Sequence, residues 1–160
     1  MTLLITAADK AFSKAVRERT NWTCEVCGRY HPIGTKRAGL HCSHWMGRGN
    51  WSTRFAPLNA FAHCWPCHKD MASNVPYFAD WVAEQIGVDR AFEVRAMSKQ
   101  PATGVRKLVP DIAKHYSRQH KLMEAIRADG WGGRIEFSPY PIDGDPYIPD
   151  GYRVAMREDV

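Results

Sequence analysis

The sequence predicts an α+β fold, and three observations predict it. Two C-x-x-C pairs, Cys24/Cys27 and Cys64/Cys67, bracket two short strand patterns separated by a loop rich in Gly, Ser, Asn and Arg. Segments with helical periodicity lie on both sides of this unit. Residues 131–160 collect prolines and glycines and continue neither pattern. The chain reads as a metal-stapled core with additional flanking α-helices and an irregular C-terminal tail, in one compact domain of 160 residues.

Residues 1–20 form the N-terminal helix segment. In "AADKAFSKAVRERT", Ala8, Phe12, Ala15, Val16 and Arg19 make a mostly apolar stripe, with charges on the other face. Residues 21–75 form the core. "NWTCEVCGRYHPIG" is a turn-rich knuckle in which Gly28 lets the backbone curl round an ion. "AGLHCSH" and "LNAFAHC" are the two strands, and "WPCHKDMASN" begins a helix.

Residues 76–130 are a helical extension. "PYFADWVAEQIG" starts near a proline and stops at Gly87, "DRAFEVRAMSKQ" is a second helix, and a third runs between Pro110 and Gly130. On the last, Ile112, Tyr116, Met123 and Ile126 share a face by ordinary core spacing. Residues 131–160 form a strand-and-loop tail.

Zinc takes four N or S ligands in a tetrahedron, and two C-x-x-C knuckles supply four thiolates. Cys24, Cys27, Cys64 and Cys67 are therefore assigned to one structural Zn²⁺ that clips the start of the hairpin to its end. Such a site contributes folding free energy that a two-stranded hairpin lacks on its own. Five cysteines suit a disulfide framework poorly. The odd one, Cys42, is either a small buried hydrophobe on a strand or a substitute for one of the four ligands.

The net charge of +5 is unevenly spread. Residues 1–60 carry nine Lys/Arg against three Asp/Glu, while residues 131–160 carry three against six. A basic front half points to a polyanionic partner. No apolar run is long enough to span a bilayer, and the first residues lack the pattern of a signal peptide, so the expected location is cytoplasmic, with no membrane partner.

With the thiolates assigned, His41, His44, Asn59, His63 and His68 remain in the same short stretch. "SHWMGRGNWSTRFAPLNAFAHCWPCH" resembles the HNH, or ββα-metal, endonuclease motif, in which a histidine ends the first strand, an asparagine opens the second and a histidine or asparagine follows on the helix. The separations, 15 residues from His44 to Asn59 and 24 from His44 to His68, are close to those of that family. Around "CSHWMGRG" and "RFAPLNAFAHCWPC" the chain is more narrowly similar to the phage NinG (Rap) recombination nucleases, which act on branched DNA. The motif covers residues 24 to about 74.

The resemblance implies a metal-dependent hydrolysis of DNA phosphodiesters. His44 would be the general base, since a neutral imidazole suits that role at neutral pH. His68 would bind a catalytic Mg²⁺ or Mn²⁺ ion, and Asn59 would pin the loop that aims His44 without touching substrate. His68 is alternatively a neighbour or substitute ligand of the zinc. The residue before the base is often a second metal ligand in the family, and here it is Ser43, a poor one. Either the ion is held by His68 with phosphate oxygens and water, or His41 reaches it, which needs a bulge because residues three apart on a strand face opposite ways. His63 alternates away from the site as a structural residue.

For DNA, the loop offers Arg48, flanked by glycines, and Arg54, with Lys36, Arg37 and Lys69 extending the basic surface. Trp45 and Trp51 would either stack on unpaired bases or fill the core beneath the loop. Nothing resembles a groove-reading helix, so recognition would follow backbone and shape. Symmetric junction cutting would require a homodimer. Two other readings stand beside the junction nuclease: a zinc-stabilised DNA-binding or assembly module without catalysis, and a restriction- or packaging-associated phage nickase. A phage-encoded protein of either kind would work in the bacterial host's cytoplasm.

Overall fold

The computed structural model describes residues 3–34 and 39–141. Lys36 and Arg37, and the part of the tail from 142 onward, lie outside the described residues.

Among the described residues, five helices surround one two-stranded sheet: α1 (Ala7–Arg19), β1 (Leu40–His44), β2 (Ala60–Cys64), α2 (Trp65–Ser73), α3 (Val75–Ile86), α4 (Val88–Ser98) and α5 (Val109–Ala128). Short 3-10 turns precede β2 and α5. Helix α1 opens with a capping box: Thr6 Oγ1 accepts from the Asp9 amide, and the Asp9 carboxylate accepts from the Thr6 amide. These bonds satisfy amides that a helix start leaves orphaned. Gly87, at φ +89°, separates α3 from α4 as the sequence reading expects.

The strands pair antiparallel in a regular register, Leu40 opposite Cys64 and His44 opposite Ala60. Side chains therefore alternate strictly between two faces. Ala60, Ala62, Cys64 and Leu40 pack into one cluster with Phe12 and Val16 of α1 and Ile112, Tyr116 and Met123 of α5. Phe61 points the other way, into a second cluster with Trp45, Met71 of α2, Phe78 and Trp81 of α3, and Val94 of α4. Helices from the 76–130 segment thus cover both faces of the sheet. Every residue of β2 is buried.

The described part of the tail, 131–141, forms no strand, contrary to expectation. Its backbone is used individually instead: the Ile135 amide donates to the Arg19 carbonyl at 3.0 Å, and Ile135 and Phe137 fill the α1–α5 cluster. Arg134 reaches Glu25, whose carboxylate also accepts the Ala62 amide at 2.6 Å.

Candidate functional site

The four cysteines converge from the knuckle, the end of β2 and the first turn of α2. Their sulfurs all lie within 4.8 Å of one another, and Cys27 Sγ and Cys64 Sγ are 3.7 Å apart. A tetrahedron with Zn–S bonds of about 2.3 Å separates its sulfurs by about 3.8 Å, so this donor set fits zinc closely. Gly28, at φ +70°, closes the knuckle, its amide donating to the Cys24 carbonyl at 2.9 Å. The set is closed: four thiolates leave no position for substrate, which makes the ion structural. Cys42 stays apart from this cluster, and desolvation pushes its thiol up to about 12.

His44 ends β1 on the α1 face, its ring 6.0 Å from that of Phe12. Its Nε2 lies 2.9 Å from the Arg54 carbonyl oxygen. A carbonyl only accepts, so Nε2 carries the proton and Nδ1 keeps its lone pair. Burial holds the His44 pKa below the ordinary imidazole value; Arg48 and Arg54 push the same way, against the Arg54 carbonyl and Asp9. The ring is neutral at pH 7, with one basic nitrogen.

Asn59 is fully buried and bonds the loop three times. Its Oδ1 accepts from the Met46 amide at 2.7 Å, and its Nδ2 donates to the Met46 and Thr53 carbonyls at 2.9 and 3.0 Å. Both ends of the loop that follows His44 are thereby fixed.

His68 sits on α2, over the opposite face of β1. Its Nδ1 is 3.0 Å from Ser43 Oγ, and its ring stacks on that of His41 with centroids 5.4 Å apart and planes within 1°. The regular register removes the need for the bulge expected at His41: α2 crosses the face that His41 and Ser43 already share, rather than the face of His44. Burial lowers the pKa of both imidazoles, with Arg17 adding to the effect on His41 and His41 to that on His68.

His41, His44 and His68 nevertheless line one groove, which wraps the exposed edge of β1 and has a volume of about 920 Å³. Arg48 lies in it. So do Lys10, Lys14 and Arg17, at i, i+4 and i+7 on one face of α1, which the sequence reading did not assign. Their spacing was visible in the sequence; that α1 lies beside β1 was not.

Arg54 is placed otherwise than expected, and Trp45 and Trp51 take the packed alternative. Arg54 is 1% exposed, with Nε and Nη2 donating to both oxygens of Asp9 at 2.9 and 2.7 Å and Nη2 also donating to the Leu4 carbonyl. Its guanidinium is spent inside the fold, because the loop turns it inward toward the α1 cap. Trp45 is buried in the second cluster beneath Arg95, and the partly buried Trp51 has the guanidinium groups of Arg54 and Arg106 at 4.3 and 5.1 Å from its ring. The Trp45 indole is buried and not offered to a base. Lys69 is exposed on α2. His63 is fully buried between Phe61 and Trp81, and burial drops its pKa to about 4, so it is a neutral core ring.

His41 and His68 have no carboxylate grouped beside them among the described residues, where the four cysteines alone form a group of three or more metal donors. Two imidazoles fit a first-row transition ion better than Mg²⁺, which prefers oxygen ligands. No helix of the described residues is long and apolar enough to cross a membrane.

A family model described as Bacteriophage Lambda NinG protein matches residues 2–126. No curated protein matches the chain. No solved structure matches it either.

Proposed function

Because the chain belongs to the bacteriophage Lambda NinG family of phage recombination-associated proteins, we propose that it is a metal-dependent DNA endonuclease of the HNH type acting on branched recombination intermediates. The observation that carries this reading is His44: a neutral imidazole with Nε2 tied to a backbone carbonyl and Nδ1 basic, on the wall of a cationic groove.

In this reading a phosphodiester lies in the groove with its oxygens on Arg48 and the α1 cations. His44 Nδ1 takes the proton of the attacking water, and the Arg54 carbonyl stabilises the imidazolium that results. Asn59 fixes the loop and so the ring's aim. His68, with Nδ1–H donated to Ser43, would hold a divalent ion through Nε2, and His41 is the second protein donor. The bound ion would supply positive charge at the scissile phosphate. Mn²⁺ or another transition ion suits these nitrogens better than Mg²⁺.

The small number of protein donors favours a second reading, a zinc-stapled DNA-binding or assembly module without catalysis. Incubating the zinc-loaded chain with a four-way junction, a nicked circle and a linear duplex, each with Mn²⁺ or Mg²⁺, separates the two. Strand breaks that need added ion support the nuclease; binding without breaks supports the module.

A further inference from the structure

The groove has an aromatic residue at its edge that none of the foregoing uses. Trp65, first residue of α2, is 52% exposed. Its ring centroid lies 5.4 Å from His41 and 6.0 Å from His68, inclined 44° to each. The indole therefore touches two groove residues while much of its surface faces solvent.

Its backbone is held firmly. Trp65 lies between Cys64 and Cys67, two of the four converging sulfur ligands, and is followed by Pro66 in the first turn of the helix. Residues i, i+3 and i+4 share a helix face, so Trp65, His68 and Lys69 form one array on α2: a flat ring, an imidazole and an exposed cation. Meanwhile, of the loop tryptophans, Trp45 is buried beneath Arg95, and the partly buried Trp51 is already engaged by Arg54 and Arg106.

We infer that Trp65 is the stacking platform for an unpaired nucleobase of the DNA strand whose backbone occupies the groove. This rests on the reading of the groove as a DNA site, but not on catalysis there. Bases within a duplex are covered above and below by their neighbours, so an indole fixed outside the stack can cover only a base that has left it. Phosphates serve any DNA equally, through Lys69, Arg48 and the α1 cations. Trp65 thus selects strands with unpaired nucleotides at the site, as at a junction, flap or single-stranded gap.

The test is equilibrium binding of fluorescein-labelled single-stranded oligodeoxyadenosine, and of a blunt duplex of equal length, to the zinc-loaded chain without further added ion. Trp65→Leu keeps an apolar side chain but removes the ring, and Trp65→Phe restores a ring. Trp65→Leu is expected to weaken single-strand binding by roughly tenfold and duplex binding by less than about twofold, with Trp65→Phe near the parent. Lys69→Ala is expected to weaken both by a similar factor. Unchanged single-strand affinity in Trp65→Leu, or equal losses on both DNAs, overturns the inference. Since binding is read without cleavage, a parent chain that shows the Trp65 effect but cuts nothing sinks the nuclease reading alone. A parent that cuts while Trp65→Leu binds single strands normally sinks this inference alone.

Discussion

The Arg54 carbonyl accepts the Nε2 proton of His44 at 2.9 Å, while the Arg54 side chain grips Asp9 at the start of α1. One residue thus fixes the tautomer of the candidate base with its backbone and its own position with a buried ion pair. Burial raises the Asp9 pKa, but hydrogen bonds from Arg54 and Thr6 outweigh that and hold the carboxyl below its ordinary value.

Arg54→Ala leaves Asp9 buried and without its cation, which costs about 3–5 kcal/mol of folding stability. Urea unfolding of the zinc-loaded chain measures it. The pair's contribution is present at neutral pH, because Asp9 is depressed, and is lost only as pH falls through the ordinary carboxylate range and below. A loss under about 1 kcal/mol at neutral pH contradicts the clamp.

Asn59→Asp replaces two donated hydrogen bonds, to the Met46 and Thr53 carbonyls, with like-polarity contacts in a fully buried position. The expected cost is about 1–3 kcal/mol for each group left unsatisfied. Cleavage is expected to fall with it, since the loop carrying the Arg54 carbonyl loses its tether. Parent-like melting and parent-like cutting together would show that the amide pins nothing.

One zinc per chain is expected by atomic absorption, and Cys64→Ser is expected to lose it and the cooperative unfolding transition. Binding free energy of a structural zinc is folding free energy, apparent values running to about 10 kcal/mol or more. A Cys64→Ser chain that retains stoichiometric zinc and its melting temperature contradicts the four-sulfur site.

The rate of the chemical step is expected to be level above neutrality and to fall on the acid side of the ordinary histidine value. The direction follows from His44: its pKa is lowered, chiefly by burial, so the neutral base persists to lower pH than a free imidazole and is lost only on further acidification. Single-turnover cutting across pH measures this. A midpoint above about pH 7 points to a different base.

The cysteine knuckles, the two strands and the helices were legible because each has a local period or spacing, and Gly28 and Gly87 mark turns that require positive φ. The roles of Arg54, Trp45 and Trp51 were not. Side-chain type suggested a DNA surface, but which way a loop residue turns depends on partners far along the chain, as Asp9 is from Arg54 and Arg106 from Trp51. The route by which His41 meets His68 was not legible for a related reason: alternation along β1 puts His41 and His44 on opposite faces, while the face that α2 crosses is tertiary information. Lys10, Lys14 and Arg17 looked like the solvated side of an amphipathic helix until α1 was seen beside β1.

The most direct measurement is cleavage of a four-way junction by zinc-loaded parent and His44→Ala chains of matched zinc content, with Mn²⁺ added. Ion-dependent cutting by the parent is expected, with a loss of about 10²–10⁴-fold in His44→Ala and junction binding retained. Equal rates for the two chains, or no cutting by the parent with any divalent ion, contradict this expectation.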